Sequence, residues 1–193
     1  PVFTPNHPLT PYHFRTSEAP APAAPNAVTG RVPLFGNDDV AVSFATATET
    51  SPLYRNSVGD ELVYVQAGTG VHESVFGTIA VAAGDYVVVP TGVAHRWVVE
   101  QPLELLIVVA RTHVRIPDKY LTPTGQLGEG APFSERDLRG PDPEPLLVDD
   151  EDVEVLVATR SGLTRHVHRH HPFDVVGWDG CLYPYAFAIS DFE

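Results

Sequence analysis

The stretch from Gly84 to His95 sets the tightest limit on what this chain can fold into. Gly84-Asp85 turns the chain, Tyr86-Val87-Val88-Val89 runs as a short apolar strand, Pro90-Thr91-Gly92 turns it again, and His95 follows three residues after Gly92. Upstream, Glu61 stands seven residues before Gly68, while the segment ahead of it reads Leu53-Tyr54-Arg55-Asn56-Ser57 and holds no His.

The rest of the middle of the chain carries the same signal. Val40 to Thr48 alternates apolar with small or hydroxyl side chains, and Glu61 to Gln66 follows a Gly-Asp turn. Gly70 to Val81 is expected to turn as a hairpin at Gly77, and His95 to Glu100 and Leu103 to Ala110 complete the set. Short strands at close spacing, separated by Gly and Pro, predict an all-β sandwich or small barrel and not a parallel sheet with crossover helices. No segment predicts a helix of ordinary length.

The Gly84–His95 spacing resembles the second metal motif of the cupin (RmlC-like jelly-roll) β-barrels. The first cupin motif pairs two His with a Glu, and here only Glu61 remains. Glu61 and His95 are therefore the metal-ligand candidates, with His72 as the one plausible third. Imidazole and carboxylate suit Fe, Mn or Zn, but a metal site needs at least three protein ligands as a rule. The competing reading is a degenerate barrel in which His95 makes a hydrogen bond at a strand start and Glu61 is satisfied by backbone or by Arg96.

Four regions are expected: a Pro-rich arm over 1–35, a degenerate first barrel over 36–116, a Pro/Gly-rich connector over 117–152, and a β region over 153–193 that begins a second β unit. The connector reads as an excursion packed on the barrel or as a boundary between two β units. Within the last region, Val153 to Thr159, Leu163 to His168 and Phe173 to Trp178 are expected strands. The run Arg165-His166-Val167-His168-Arg169-His170-His171 would place His166, His168 and His170 on one strand face. Alternate ligands on one straight strand lie about 7 Å apart and do not converge on one ion. A solvated or interface strand sensitive to pH is the better reading. Asp174, Asp179 and Cys181 around Trp178 constitute no active site, and a lone Cys most simply packs as a small hydrophobe. No catalytic and no cofactor-binding residue is assigned.

Twelve Lys and Arg against 25 Asp and Glu give a net charge of −13, which opposes nucleic-acid phosphates and anionic membranes. One cysteine excludes an internal disulfide and fits the cytoplasm. No apolar run is long enough for a membrane span or signal peptide. The absence of Met and an end directly after a patterned apolar segment are read as a piece of a longer protein.

Several longer motifs resemble one family. Tyr54-Arg55-Asn56-Ser57-Val58-Gly59-Asp60-Glu61, the Phe76-Gly77 turn followed by Gly84 to Pro90, Glu135-Arg136-Asp137-Leu138-Arg139-Gly140-Pro141, and Pro172 to Gly180 ending in Tyr183-Pro184-Tyr185-Ala186-Phe187 together are similar to bacterial homogentisate 1,2-dioxygenases, from about Asn6 to Glu193. The resemblance implies a bicupin that uses Fe(II) and O2 to open the ring of homogentisate, a small aromatic acid, giving maleylacetoacetate in tyrosine and phenylalanine breakdown. It implies iron ligands, two His and a Glu, in a second cupin beyond Glu193, so this chain is expected to bind no cofactor alone and to depend on a C-terminal catalytic half. It also implies a homo-oligomer, a trimer or hexamer. Trp178-Asp179-Gly180 stands where animal enzymes carry Trp-His-Gly, which points to a divergent bacterial branch. The alternatives are a gentisate-type bicupin dioxygenase and a stand-alone, non-catalytic cupin module for binding or assembly.

Overall fold

The computed structural model describes residues 13, 15–18, 22–142, 144–148 and 151–192. Most of the arm before Pro22 and part of the connector at 149–150 lie outside them. Ten strands occur among the described residues, and the only helices are 3-10 turns of three residues each. No helix among them is long and apolar enough to cross a membrane.

Two long strands organise everything else: β4 (Asp60–Ser74) and β7 (Ala94–Ala110), paired antiparallel along their length. The ladder breaks between Val65 and Gly70, where β-bulges bend both strands. Gly68 takes φ +89°, and a Cβ there would fall 2.0 Å from the Pro102 carbonyl oxygen, so the corner needs glycine. Pro102 lies in β7 at the same corner, opposite the break in the ladder, where its missing N–H costs no bond. The sequence reads β7 as two strands because of Gln101-Pro102; in the structure they are one strand that bends.

The bend makes two leaves. One leaf carries β1 (Val32–Gly36), β2 (Val40–Ala47), the second half of β7, the first half of β4, β6 (Asp85–Val89) and β10 (Tyr185–Ala188). The other carries β5 (Gly77–Ala82), the second half of β4, the first half of β7, β3 (Leu53–Asn56), β8 (Val153–Thr159) and β9 (Gly162–His168). Strand alternation sends Val63, Val65, Trp97, Leu103, Leu105 and Ile107 inward, where all are fully buried. This is the all-β cupin architecture, with the sheet curled into an open barrel.

Three expectations change in detail. Phe173–Trp178 is a turn segment and not a strand: Phe173 is buried, but Val176 is 86% exposed. The final strand comes later, as β10. Cys181 is exposed and not packed.

The connector is packed on the barrel surface. Arg139 exchanges two backbone hydrogen bonds with Ala186, and Asp142 N–H donates to Thr78 O at 2.8 Å. Gly77 (φ +118°) fits beneath that contact, since a Cβ there would lie 2.0 Å from the Asp142 carbonyl oxygen. Gly77→Ala is therefore expected to cost about 1–3 kcal/mol, read as a lower urea midpoint, with faster protease cleavage in 117–142.

Candidate functional site

Glu61, His72 and His95 all project into the barrel interior, and each is completely buried. Glu61 comes from the first half of β4; alternation from Gly70 to Ser74 turns His72 inward on the second half. His95, opposite Ser74 and Tyr54 in the ladders, is the second residue of β7. The His72 and His95 ring centroids are 4.9 Å apart, and Tyr54 meets His95 edge-on at 5.4 Å. The spacing argument thus places its two primary candidates and the suggested third in one interior.

A residue outside every motif dominates that interior. Arg31, just before β1, donates from Nη1 to Glu61 Oε1 at 2.8 Å and from Nη2 to Glu61 Oε2 at 2.9 Å. Its Nε donates to the Ala27 carbonyl at 2.9 Å, and its guanidinium lies 4.9 Å from the Tyr54 ring centre. Tyr54 Oη and Asn56 Nδ2 add donors to Glu61 Oε1 at 3.0 and 2.8 Å. Arg31 lies within the stretch read as an arm, together with the buried Ala27 and Val28. Arg96, the side-chain partner anticipated for Glu61, instead pairs with Glu73 at 2.5 Å.

The electrostatics follow from this closure. Burial alone would raise the Glu61 pKa, but the Arg31 charge and its hydrogen bonds, helped by His95 and Asn56, pull it down to about 2. Burial opposes the Arg31 charge, and Glu61 more than offsets it, so the guanidinium is held above its ordinary value. Burial, with the Glu61 charge added, pushes the Tyr54 phenol up against the opposing pull of Arg31. Burial also lowers His95, outweighing the Glu61 charge and the 3.1 Å contact of Nδ1 with Val93 O, and it lowers His72 further with the help of His95. The interior thus holds one ion pair and two neutral imidazoles.

As the side chains stand, this set does not fit a metal ion. Both Glu61 oxygens are taken by the donors of Arg31, Tyr54 and Asn56, and the guanidinium supplies the positive charge that a divalent ion would bring. Among the described residues no group of three or more His, Cys, Asp or Glu could hold a metal.

The other singled-out residues lie elsewhere. His166 and His168 sit on the exposed edge strand β9, whose Arg165 pairs with Glu154 at 3.3 Å. Trp178 donates from Nε1 to Phe76 O at 2.8 Å and packs on Phe76 and Tyr183. A separate cavity of about 440 Å³ lies outside the barrel, lined by Leu62, Tyr86, Val88, Phe133, Tyr185 and Phe187 among others.

Residues 27–189 match the family model described as homogentisate 1,2-dioxygenase N-terminal. The chain belongs to this family. A putative dioxygenase of Saccharolobus solfataricus is 35% identical over 185 residues, covering 94% of this chain and 47% of that protein. The homogentisate 1,2-dioxygenase of Caenorhabditis elegans is 31% identical over 140 residues, covering 71% of this chain and 30% of the enzyme. This family member therefore spans about half the length of the first relative and under a third of the second. Among solved structures, a putative mannose-6-phosphate isomerase of Ralstonia eutropha overlays 52% of this chain and 98% of its own, at 24% identity and a TM-score of 0.43, a likeness too loose to bear on function.

Arg31, Tyr54 and Asn56 are the site residues that sequence reasoning missed. The available signal was indirect: a Glu inside an apolar barrel, without the His pair that would share an ion with it, demands a cation from somewhere.

Proposed function

We propose that this chain is the non-catalytic N-terminal portion of an Fe(II)-dependent ring-cleaving dioxygenase, which converts homogentisate and O2 to maleylacetoacetate in tyrosine and phenylalanine breakdown. The observation that carries the reading is the Arg31–Glu61 pair: it fills with a guanidinium the place where a first cupin would hold an ion. Family membership supplies the dioxygenase context. On this reading His95 and Glu61 are structural, the iron is held by a C-terminal half, and the barrel acts as scaffold and subunit contact in a cytoplasmic homo-oligomer, a trimer or hexamer.

The test compares this 193-residue chain with a version extended to the full length of its relatives. The extended protein is expected to hold stoichiometric iron and to consume O2 with homogentisate, and the shorter chain to do neither. Iron and turnover in the shorter chain alone would sink the reading, and a preference for gentisate over homogentisate would reassign the substrate.

A further inference from the structure

Three side chains in the barrel interior leave polar atoms without a partner among the described residues: both ring nitrogens of His72, Nε2 of His95, and Nε1 of Trp97. All three side chains are completely buried and stand in contact, with the His72 ring centroid 4.9 Å from those of both His95 and Trp97. None of these atoms belongs to the Arg31–Glu61 network. Buried polar groups in native proteins find partners in nearly every case, and when the protein offers none an ordered water does so.

The chemistry of the four atoms selects the ligand. His95 Nδ1 faces the Val93 carbonyl at 3.1 Å, so the neutral ring carries its proton there and Nε2 is a bare acceptor. Trp97 Nε1–H is a donor only. Neutral His72 has one donor and one acceptor. The unmet demand is thus two donors and two acceptors, on side chains of the same leaf, where His72 stands opposite Trp97. A metal ion could take the imidazole lone pairs but would leave the indole N–H and the His72 N–H unmet. An anion could take those N–H groups but would repel the lone pairs. Water donates and accepts in equal measure.

We propose that the barrel interior is a built hydration site, holding ordered water between His72, His95 and Trp97. The two nitrogens of one imidazole point away from each other, so one water cannot serve both, and the site takes a short chain of waters running past the His72 ring. The Val93 carbonyl keeps His95 protonated at Nδ1 and burial keeps His72 neutral, so the water meets the ring nitrogens that the protein leaves over. The proposal rests on the reading that Arg31 is the interior cation, because a metal on these rings would displace the water.

The test uses the 15N-labelled chain. Trp178→Phe removes the one other indole, leaving a single Trp N–H signal; should that variant not fold, backbone-based assignment of the unsubstituted chain serves instead. The Trp97 Nε1–H is expected to show a cross-peak with water of the sign that marks long residence. Long-range 15N spectra at pH 7 are expected to show both rings neutral, His95 protonated at Nδ1, with no change on adding a chelator. Absence of the water cross-peak in metal-free protein means a dry interior and overturns this proposal alone. Stoichiometric metal, with imidazole nitrogen shifts that a chelator abolishes, overturns both this proposal and the reading of Arg31.

Discussion

Arg31→Met is expected to destabilise the chain by about 3–5 kcal/mol, the largest loss of any single substitution considered. The cost arises because the substitution leaves the fully buried Glu61 carboxylate charged, with only Tyr54 and Asn56 as donors, and also frees the Ala27 carbonyl that Arg31 Nε serves. Denaturant unfolding of the single and double variants checks it. Arg31→Met combined with Glu61→Gln is expected to recover more than half of the loss, since the amide still accepts a hydrogen bond and carries no charge. The loss should barely change with added salt, because Arg31 is only 15% exposed and Glu61 1%, too enclosed for counter-ions to screen. A loss below about 1 kcal/mol, the value for an exposed pair, would show that the interior is open to solvent.

Acid is expected to unfold this protein from a higher pH than its carboxylates alone would allow. Burial holds His72 and His95 below their ordinary pKa of 6.5 in the fold. The unfolded chain therefore binds protons on both rings below pH 6.5 that the folded chain refuses. Stability is fully present above that pH and falls as pH drops, at up to about 1.4 kcal/mol per pH unit for each ring. By pH 5 the loss approaches about 4 kcal/mol if both rings stay neutral. Glu61 acts lower down, and in the same direction. Its folded pKa of about 2 lies below the ordinary 4.5, so the stability it contributes is present above pH 4.5 and is lost as pH falls toward 2. Urea midpoints from pH 8 to 4 read the effect, and His72→Phe should roughly halve the slope between pH 6.5 and 5. A flat profile over that range would mean that the rings are protonated in the fold.

The parts of the fold that repeat a local rule were legible. Gly and Pro punctuation placed the Gly77 hairpin and the turn before His95, and the Glu61-to-Gly68 spacing turned the carboxylate inward, as found. What escaped depends on contacts between distant residues. Arg31 lies 30 positions from Glu61, in a Pro-rich neighbourhood that has no strand periodicity, and nothing in its own surroundings marks it as interior. Phe173, Val175 and the apolar residues beside them imitate a strand, but Phe173 is the one that anchors the segment, packed with Leu53, Val155 and Val157, while Val176 lies exposed at a bend. The merging of β7 across Pro102 was hidden because proline usually ends a strand, and only the bulged partner shows why it need not here.

The parallel ladder of β3 with β8, from Leu53↔Val155 to Asn56↔Ala158, sets an order of events during synthesis. Until residue 158 has left the ribosome, the outer edge of β3 is an unpaired template, and Leu53 lacks its apolar cover. The Tyr54 and Asn56 donors that hold Glu61 sit on that same strand, so until the late strand docks they rest on the short pairing of β3 with β7 alone. A pairing across about a hundred residues is slow to close. The nascent barrel must therefore survive an interval with one leaf unfinished, and that interval is when a chaperone, or a wrong strand, would find it.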